Sequence, residues 1–188
     1  MTELTFPFTE QAVRALKIGE AVSITGPIHT GRDKFHKYFA DGGKLPLDFR
    51  DGALYHCGPV IIGKPGAWKV VAAGPTTSVR ENPYEPTFIE KTGVRLIIGK
   101  GGMDAPTLAA MKKCTCVYIA AVGGAAALAA QSVRQVEGVD FLEEFGFAEA
   151  CWHFNVKGFR GIVAMDAHGH SLFEQVQNAS KAKLNALL

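Results

Sequence analysis

Two short segments share one arrangement of groups suited to holding an anion. Gly26-Pro27-Ile28-His29-Thr30-Gly31-Arg32 and Gly74-Pro75-Thr76-Thr77-Ser78-Val79-Arg80 each run Gly-Pro, two residues, a hydroxyl, one residue, Arg. Each follows an apolar stretch that reads as a strand. A turn at a strand end can present backbone N–H groups and hydroxyls outward, and a guanidinium can fork onto a carboxylate. Two such turns would suit a substrate with two carboxylates. The plainer alternative is that Gly-Pro recurs because it makes good turns. Gly99-Lys100-Gly101-Gly102 places a lysine among glycines between a strand and a helix, where N–H groups and the helix dipole favour an anion. It lacks the G-x-x-x-x-G-K-[ST] pattern of a nucleotide loop, and an exposed Lys in an ordinary turn is the alternative.

Other chemically capable groups have quieter readings. His36 lies one helical turn beyond Arg32 and Asp33, so it either faces the same site or serves helix packing. Cys114-Thr115-Cys116 would put both thiols on one face of a strand, but no second pair is present for a metal, which favours core packing. His168-Gly169-His170 reads as a polar turn. Gly123-Gly124 with the alanines after it suits a small-residue helix packed on a sheet better than a dinucleotide loop.

The elements that must position these groups follow from local signals. Thr9 is a candidate N-cap for a helix through Val13 and Leu16, and Ala21–Thr25 alternates like a strand ending at Gly26-Pro27. Thr30–Ala40 reads as a helix, with Arg32 and Asp33 in its first turn. Apolar segments between Ala53 and Ala73 look like strands and turns. After Pro83 helix and strand alternate: a helix around Phe88, a strand over Val94–Ile98, a helix from Pro106, a strand over Thr115–Val122, then an alanine-rich helix. Two further strands are read over Ala150–Val156 and Gly161–Asp166. Ser171-Leu172-Phe173-Glu174 is a capping box for a last helix. The alternation predicts an α/β fold, one domain over 1–188, with a mixed central sheet flanked by helices.

Composition narrows the function classes. At 188 residues, with a 47% hydrophobic share and 20% charged residues, the chain suits one substantial core. A net charge of +2 is no footprint for nucleic acid, so any cationic function is local. No stretch reads as a signal peptide or a membrane span, and a cytoplasmic location is expected. The 4 cysteines show no C-x-x-C spacing and are expected to be reduced thiols.

Taken together, Thr30-Gly31-Arg32-Asp33 with His36-Lys37, Cys57-Gly58-Pro59, Gly74-Pro75-Thr76-Thr77 with Arg80, and Gly99-Lys100-Gly101-Gly102-Met103 resemble one known family. It is the β component of class I, iron-sulfur fumarate hydratases and L-tartrate dehydratases. The resemblance covers nearly the whole chain, in order and spacing. It implies a swivelling β/β/α domain, found either as the C-terminal half of one polypeptide or as a separate subunit. It further implies a [4Fe-4S] cluster held by a partner α subunit, with no metal or cofactor bound by this chain alone. By motif, Arg32, Thr77, Arg80 and Lys100 would bind a small dicarboxylate, and Thr76 would be the proton acceptor or a substrate-positioning hydroxyl. The implied activity is hydration of fumarate to malate, or alternatively dehydration of tartrate to oxaloacetate. A non-catalytic dicarboxylate-binding module is the alternative of another class. The chain departs from the family pattern at Val79 and Glu81, where Gly and Met usually flank the arginine, and at Pro27, where Thr is common.

Overall fold

Alternation of branched and aromatic residues sends successive strand side chains to opposite faces, and here both faces are covered. The computed structural model describes residues 1–187. It begins with β1 (Thr2–Thr5), α1 (Glu10–Ala15), β2 (Ala21–Thr30), α2 (Asp33–Ala40) and β3 (Ala53–Tyr55). A hairpin of β4 (Val60–Ile62) and β5 (Lys69–Ala72) and a 3-10 turn (Ser78–Glu81) lead to α3 (Glu85–Thr92), β6 (Leu96–Gly99), α4 (Ala105–Cys114) and β7 (Val117–Ala120). The chain finishes with α5 (Ala126–Ser132), β8 (Val133–Asp140), α6 (Leu142–Phe145), β9 (Cys151–Met165) and α7 (Leu172–Asn185).

The main sheet is 7-stranded, ordered β1-β2-β3-β6-β7-β9-β8, with β2 also paired to β9. β2, β3, β6 and β7 run parallel, and β9 runs antiparallel to β2, β7 and β8. Because β2 meets β3 on one side and β9 on the other, these strands with β6 and β7 close into a ring. Ala53, Tyr55, Leu96, Ile98, Val117 and Ile119 fill its inside with Trp152 and Phe154. Leu54, Ile97 and Tyr118 point outward, where Phe35, Phe88, Ile89 and Met111 from α2, α3 and α4 cover them. Each such large apolar side chain, fully buried, contributes about 1.5–3 kcal/mol. This is the expected α/β domain with a mixed sheet and flanking helices. Among the described residues no helix is long and apolar enough to cross a membrane.

Local caps follow the sequence in several places. Thr9 Oγ1 accepts from Ala12 N at 3.3 Å, Asp104 Oδ1 from Thr107 N at 3.1 Å, and Ser171 Oγ from Glu174 N at 3.4 Å. In the His168-Gly169-His170 turn, Asp166 Oδ1 accepts the N–H groups of His168 and His170, both at 3.0 Å.

Four expectations are corrected. β2 does not stop at Gly26-Pro27 but runs on to Thr30, passing a bulge where Gly26 takes a φ of +128°. A bulge absorbs both the missing N–H of Pro27 and the positive φ, so the first Gly-Pro lies inside a strand and only the second makes a strand-end turn. Thr30 accordingly belongs to the strand, and α2 begins at Asp33. Cys114 ends α4 and Thr115 is its left-handed cap, so Cys114 and Cys116 do not share a strand face. The two strands read over 150–166 are one, β9, which passes Gly158 at a φ of +73° without breaking.

Candidate functional site

In open parallel sheets, loops that leave the carboxyl ends of neighbouring strands converge at one edge and form the usual crevice for ligands. Here Arg32 follows β2, His56 and Cys57 follow β3, and Lys100 follows β6. The Gly74–Arg80 loop is threaded across these ends by backbone bonds. Thr76 N donates to His56 O at 2.7 Å, and Ser78 N donates to Lys100 O at 3.0 Å. Cys57 bridges Pro75, and Thr77 bridges Lys100. The loop thus places Thr76 and Thr77 between the segments that carry Arg32 and Lys100.

Side chains complete the cluster. Arg80 Nη2 donates to Thr76 Oγ1 at 2.9 Å and lies 3.0 Å from Asp33 Oδ2. Asp33 Oδ2 is also 4.0 Å from Arg32 Nη2, and Arg32 is held from its other side by Glu149 at 3.3 Å and by the carbonyl of Ala148. Glu149 does a second job, since its Oε2 accepts the Lys34 N–H at 3.1 Å and caps α2, whose N-cap Arg32 makes no capping bond. Arg32 Nε is buried without an acceptor, and Lys100 is exposed with no ion pair among the described residues. Lys100 is the exposed donor open to an anion, and Arg32 Nε lies beneath the surface.

The structure therefore joins Arg32, Thr76 and Arg80 through side chains and brings Thr77 and Lys100 beside them through the backbone. Thr30, the hydroxyl of the first echo, is excluded. Its Oγ1 donates to Ala150 O at 3.1 Å and accepts from Trp152 N at 2.9 Å, inside the core. The echo in sequence is not an echo in space, because one copy is a strand with a bulge and the other a turn. Asp33, between two guanidiniums, is the site residue the charge pattern left unused.

Two glycines are explained by close approach. A Cβ on Gly58 would run into the Arg32 side chain and lie 2.7 Å from Ala148 O. A Cβ on Gly99 would overlap Ser78 Oγ and stand 2.9 Å from Tyr118 OH. Gly99→Ala is expected to cost about 1–3 kcal/mol by overpacking, read as a lower urea midpoint at unchanged m-value.

Directly beneath the loop lies a layer of buried polar groups. His36, His56, Glu81, Glu85 and Ser78 are all fully buried. Glu85 Oε2 stands 3.1 Å from His36 Nε2 and 3.1 Å from His56 Nε2. His36 Nδ1 lies 2.9 Å from the Arg32 carbonyl and 3.4 Å from Glu81 Oε2. His56 Nδ1 meets Ser78 Oγ at 2.9 Å, and Ser78 Oγ meets Tyr118 OH at 2.8 Å. Burial alone would lower the His36 pKa, but the Glu85 carboxylate reverses this and raises it to about 9. Burial would raise Glu85, and the His56 and His36 rings instead bring it down to about 2. Burial lifts Glu81 to about 7 despite His36, with Asp33 adding to the rise. Burial lowers His56 in spite of Glu85. The layer is thus a cationic His36 on an anionic Glu85, with His56 neutral. His36 belongs to this support and not to the ligand-facing surface, and His56, Glu81 and Glu85 were not legible as a group.

An iron-sulfur cluster is held by cysteine thiolates. Cys57, Cys116 and Cys151 are buried, and burial raises the pKa of each, so they are held as thiols. Among the described residues the grouped ligand-type side chains are His36, His56 and Glu85, whose ligand atoms lie within 4.8 Å of one another, and no cysteine joins them. This donor set does not fit an iron-sulfur cluster.

A family model described as Fumarase C-terminus matches residues 2–176. The chain belongs to this Fumarase C-terminus family. It is 49% identical over 183 residues to a protein of Geobacillus stearothermophilus named as a class I fumarate hydratase, covering 97% of this chain and 35% of that one. It is 42% identical over 192 residues to a protein of Methanocaldococcus jannaschii named as an L(+)-tartrate dehydratase subunit beta, covering 99% and 98%. The L(+)-tartrate dehydratase subunit beta of Escherichia coli is 34% identical over 174 residues, covering 92% and 86%. The chain spans about a third of the first relative and nearly the whole of the second. The site lies within the matched Fumarase C-terminus region, from Arg32 to Lys100.

Proposed function

We propose that this chain is the β component of an iron-sulfur-dependent hydro-lyase that hydrates fumarate reversibly to L-malate. Its site is completed by an α subunit that carries a [4Fe-4S] cluster. The observation that carries the reading is the meeting of Thr76 and Arg80 with Arg32 at the strand ends, in a chain 49% identical to a named class I fumarate hydratase. Tartrate dehydration to oxaloacetate is the second reading, favoured by the near-complete match to a tartrate dehydratase subunit beta.

Removing a proton beside a carboxylate while a hydroxyl leaves adds negative charge to an anion, so neutralisation decides the rate. When bound, the partner's cluster would supply Lewis-acid chemistry at the leaving hydroxyl. The residues of this chain act on the carboxylates and the proton. Arg32, whose side chain is partly exposed, and Lys100 hold the substrate carboxylates, with Thr77 beside them. Arg80 donates to Thr76 Oγ1, so an alkoxide on Thr76 would be stabilised by the guanidinium, whose charge Asp33 offsets in part. Once its own proton has passed to solvent, Thr76 is thereby fitted to take the substrate's proton, an act an unassisted alcohol performs poorly.

Arg32→Ala and Lys100→Ala are each expected to raise KM and lower kcat, with kcat/KM falling about tenfold to a hundredfold. Steady-state kinetics of the reconstituted complex provide the check. The reading itself is tested by mixing the purified chain with an anaerobically prepared cluster-bearing subunit and assaying fumarate, malate and tartrate. Turnover of fumarate supports it, and turnover of tartrate alone transfers the assignment to the second reading. Dicarboxylate binding by the isolated chain with no turnover by any mixture would point to a binding module instead.

A further inference from the structure

The buried layer takes no part in the chemistry above, yet it touches every segment that does. Glu85 enters it at the start of α3 and meets both imidazoles through one oxygen, each at 3.1 Å. Each ring passes the constraint on. His36 Nδ1 donates to the carbonyl of Arg32 at 2.9 Å. The carbonyl of His56 receives the Thr76 N–H at 2.7 Å, and its ring meets Ser78 Oγ at 2.9 Å. Ser78 in turn donates its N–H to the carbonyl of Lys100 at 3.0 Å. A single carboxylate oxygen is therefore tied, by a hydrogen bond to His56 and by an ion pair to His36, to the segments bearing Arg32, Thr76 and Lys100.

We propose that Glu85, acting through His36 and His56, is the positioning residue that sets Arg32 and Thr76 at their working separation. This rests on the hydro-lyase reading. The physical cause is the cost of misplacement in a dry layer, where moving the His36 ring leaves a charge without its partner and moving the His56 ring leaves the Glu85 carboxylate short of a donor. Glu81, fully buried next in sequence to Arg80 and 3.4 Å from His36 Nδ1, extends the same hold to the Arg80 end of the loop. The departure from the family pattern at Glu81 thus falls on a residue that the layer uses.

The test is Glu85→Gln, which keeps the side-chain size and one acceptor but removes the charge. In the reconstituted complex kcat/KM is expected to fall about 30- to 100-fold while circular dichroism stays unchanged, since an error of about 1 Å can cost a hundredfold. In the full chain without its partner, hydrogen exchange of the Thr76 amide is expected to quicken about tenfold or more. Met111→Ala, in the outer core, is the control for destabilisation alone and should leave kcat, KM and Thr76 exchange unchanged. Should Glu85→Gln not fold, His56→Gln spares the His36–Glu85 pair and is expected to speed Thr76 exchange in the same way. Exchange needs no partner and no iron, so a complex without turnover would sink the hydro-lyase reading while leaving this result to stand. Wild-type kinetics and exchange in Glu85→Gln would overturn the proposal, as would equal effects in Met111→Ala. Saturable one-to-one binding of zinc ion to the wild-type chain, lost in Glu85→Gln, would overturn it in favour of a metal centre.

Discussion

Thr76→Ala is expected to lower kcat of the reconstituted complex by about 10²- to 10⁴-fold, with KM changed by less than about threefold. The size follows from what the hydroxyl touches. Thr76 Oγ1 lies 2.9 Å from Arg80 Nη2, a guanidinium already placed to favour the alkoxide form. Under the proposed function, removing the oxygen removes the proton acceptor, whereas the groups proposed to hold the carboxylates, Arg32 and Lys100, remain. The backbone should not move, because the Thr76 N–H to His56 O bond survives the substitution. Thr76→Ser, which retains the oxygen, is expected to recover most of the lost turnover. Single-turnover rates with saturating malate separate this effect from binding. Turnover near wild type in Thr76→Ala would show that another group takes the proton.

The largest effect on stability is expected from His36→Leu, about 3–5 kcal/mol at pH 7.5 by urea unfolding. Leucine fits an apolar neighbourhood formed in part by Phe35 and Phe88, so volume is not the issue. The cost is electrostatic, because the substitution leaves Glu85 buried without its cationic partner. The pH dependence carries the sign of this account. In the wild type, His36 is raised from 6.5 to about 9, so its stabilisation is complete below pH 6.5 and is lost as pH rises through 9. Glu85 is depressed from 4.5 to about 2, so its contribution is present above pH 4.5 and is lost as pH falls through 2. Glu81, raised from 4.5 to about 7, favours the fold most below pH 4.5 and gives up that contribution as pH rises through 7. Wild-type stability should therefore decline with rising pH in two steps, one between pH 4.5 and about 7 for Glu81 and one between pH 6.5 and about 9 for His36. In His36→Leu the second step disappears, and the deficit narrows towards pH 4 as the unpaired Glu85 takes up a proton. A deficit independent of pH would assign the loss to packing instead.

The α/β class and the candidate site residues could be read from one dimension because their signals are local. Short continuous apolar runs mark β6 and β7, Thr9 and Ser171 cap their own helices, and Gly99-Lys100 stands at a strand end in any α/β arrangement. The family likeness was carried by short motifs whose order and spacing are those of the family. β8 escaped notice because Val133, Val136 and Val139 recur every third residue, and only the bulges in its pairing with β9 reconcile that spacing with a strand. The continuity of β2 past Gly26-Pro27 was likewise hidden, since a bulge is a property of two strands together. What folding alone decided is the charge balance of the site. Asp33 between Arg32 and Arg80, Glu149 against Arg32, and Glu85 between His36 and His56 join residues dozens of positions apart. Coulomb interactions depend on distance and burial, quantities that arise only when the strand ends are brought to one edge.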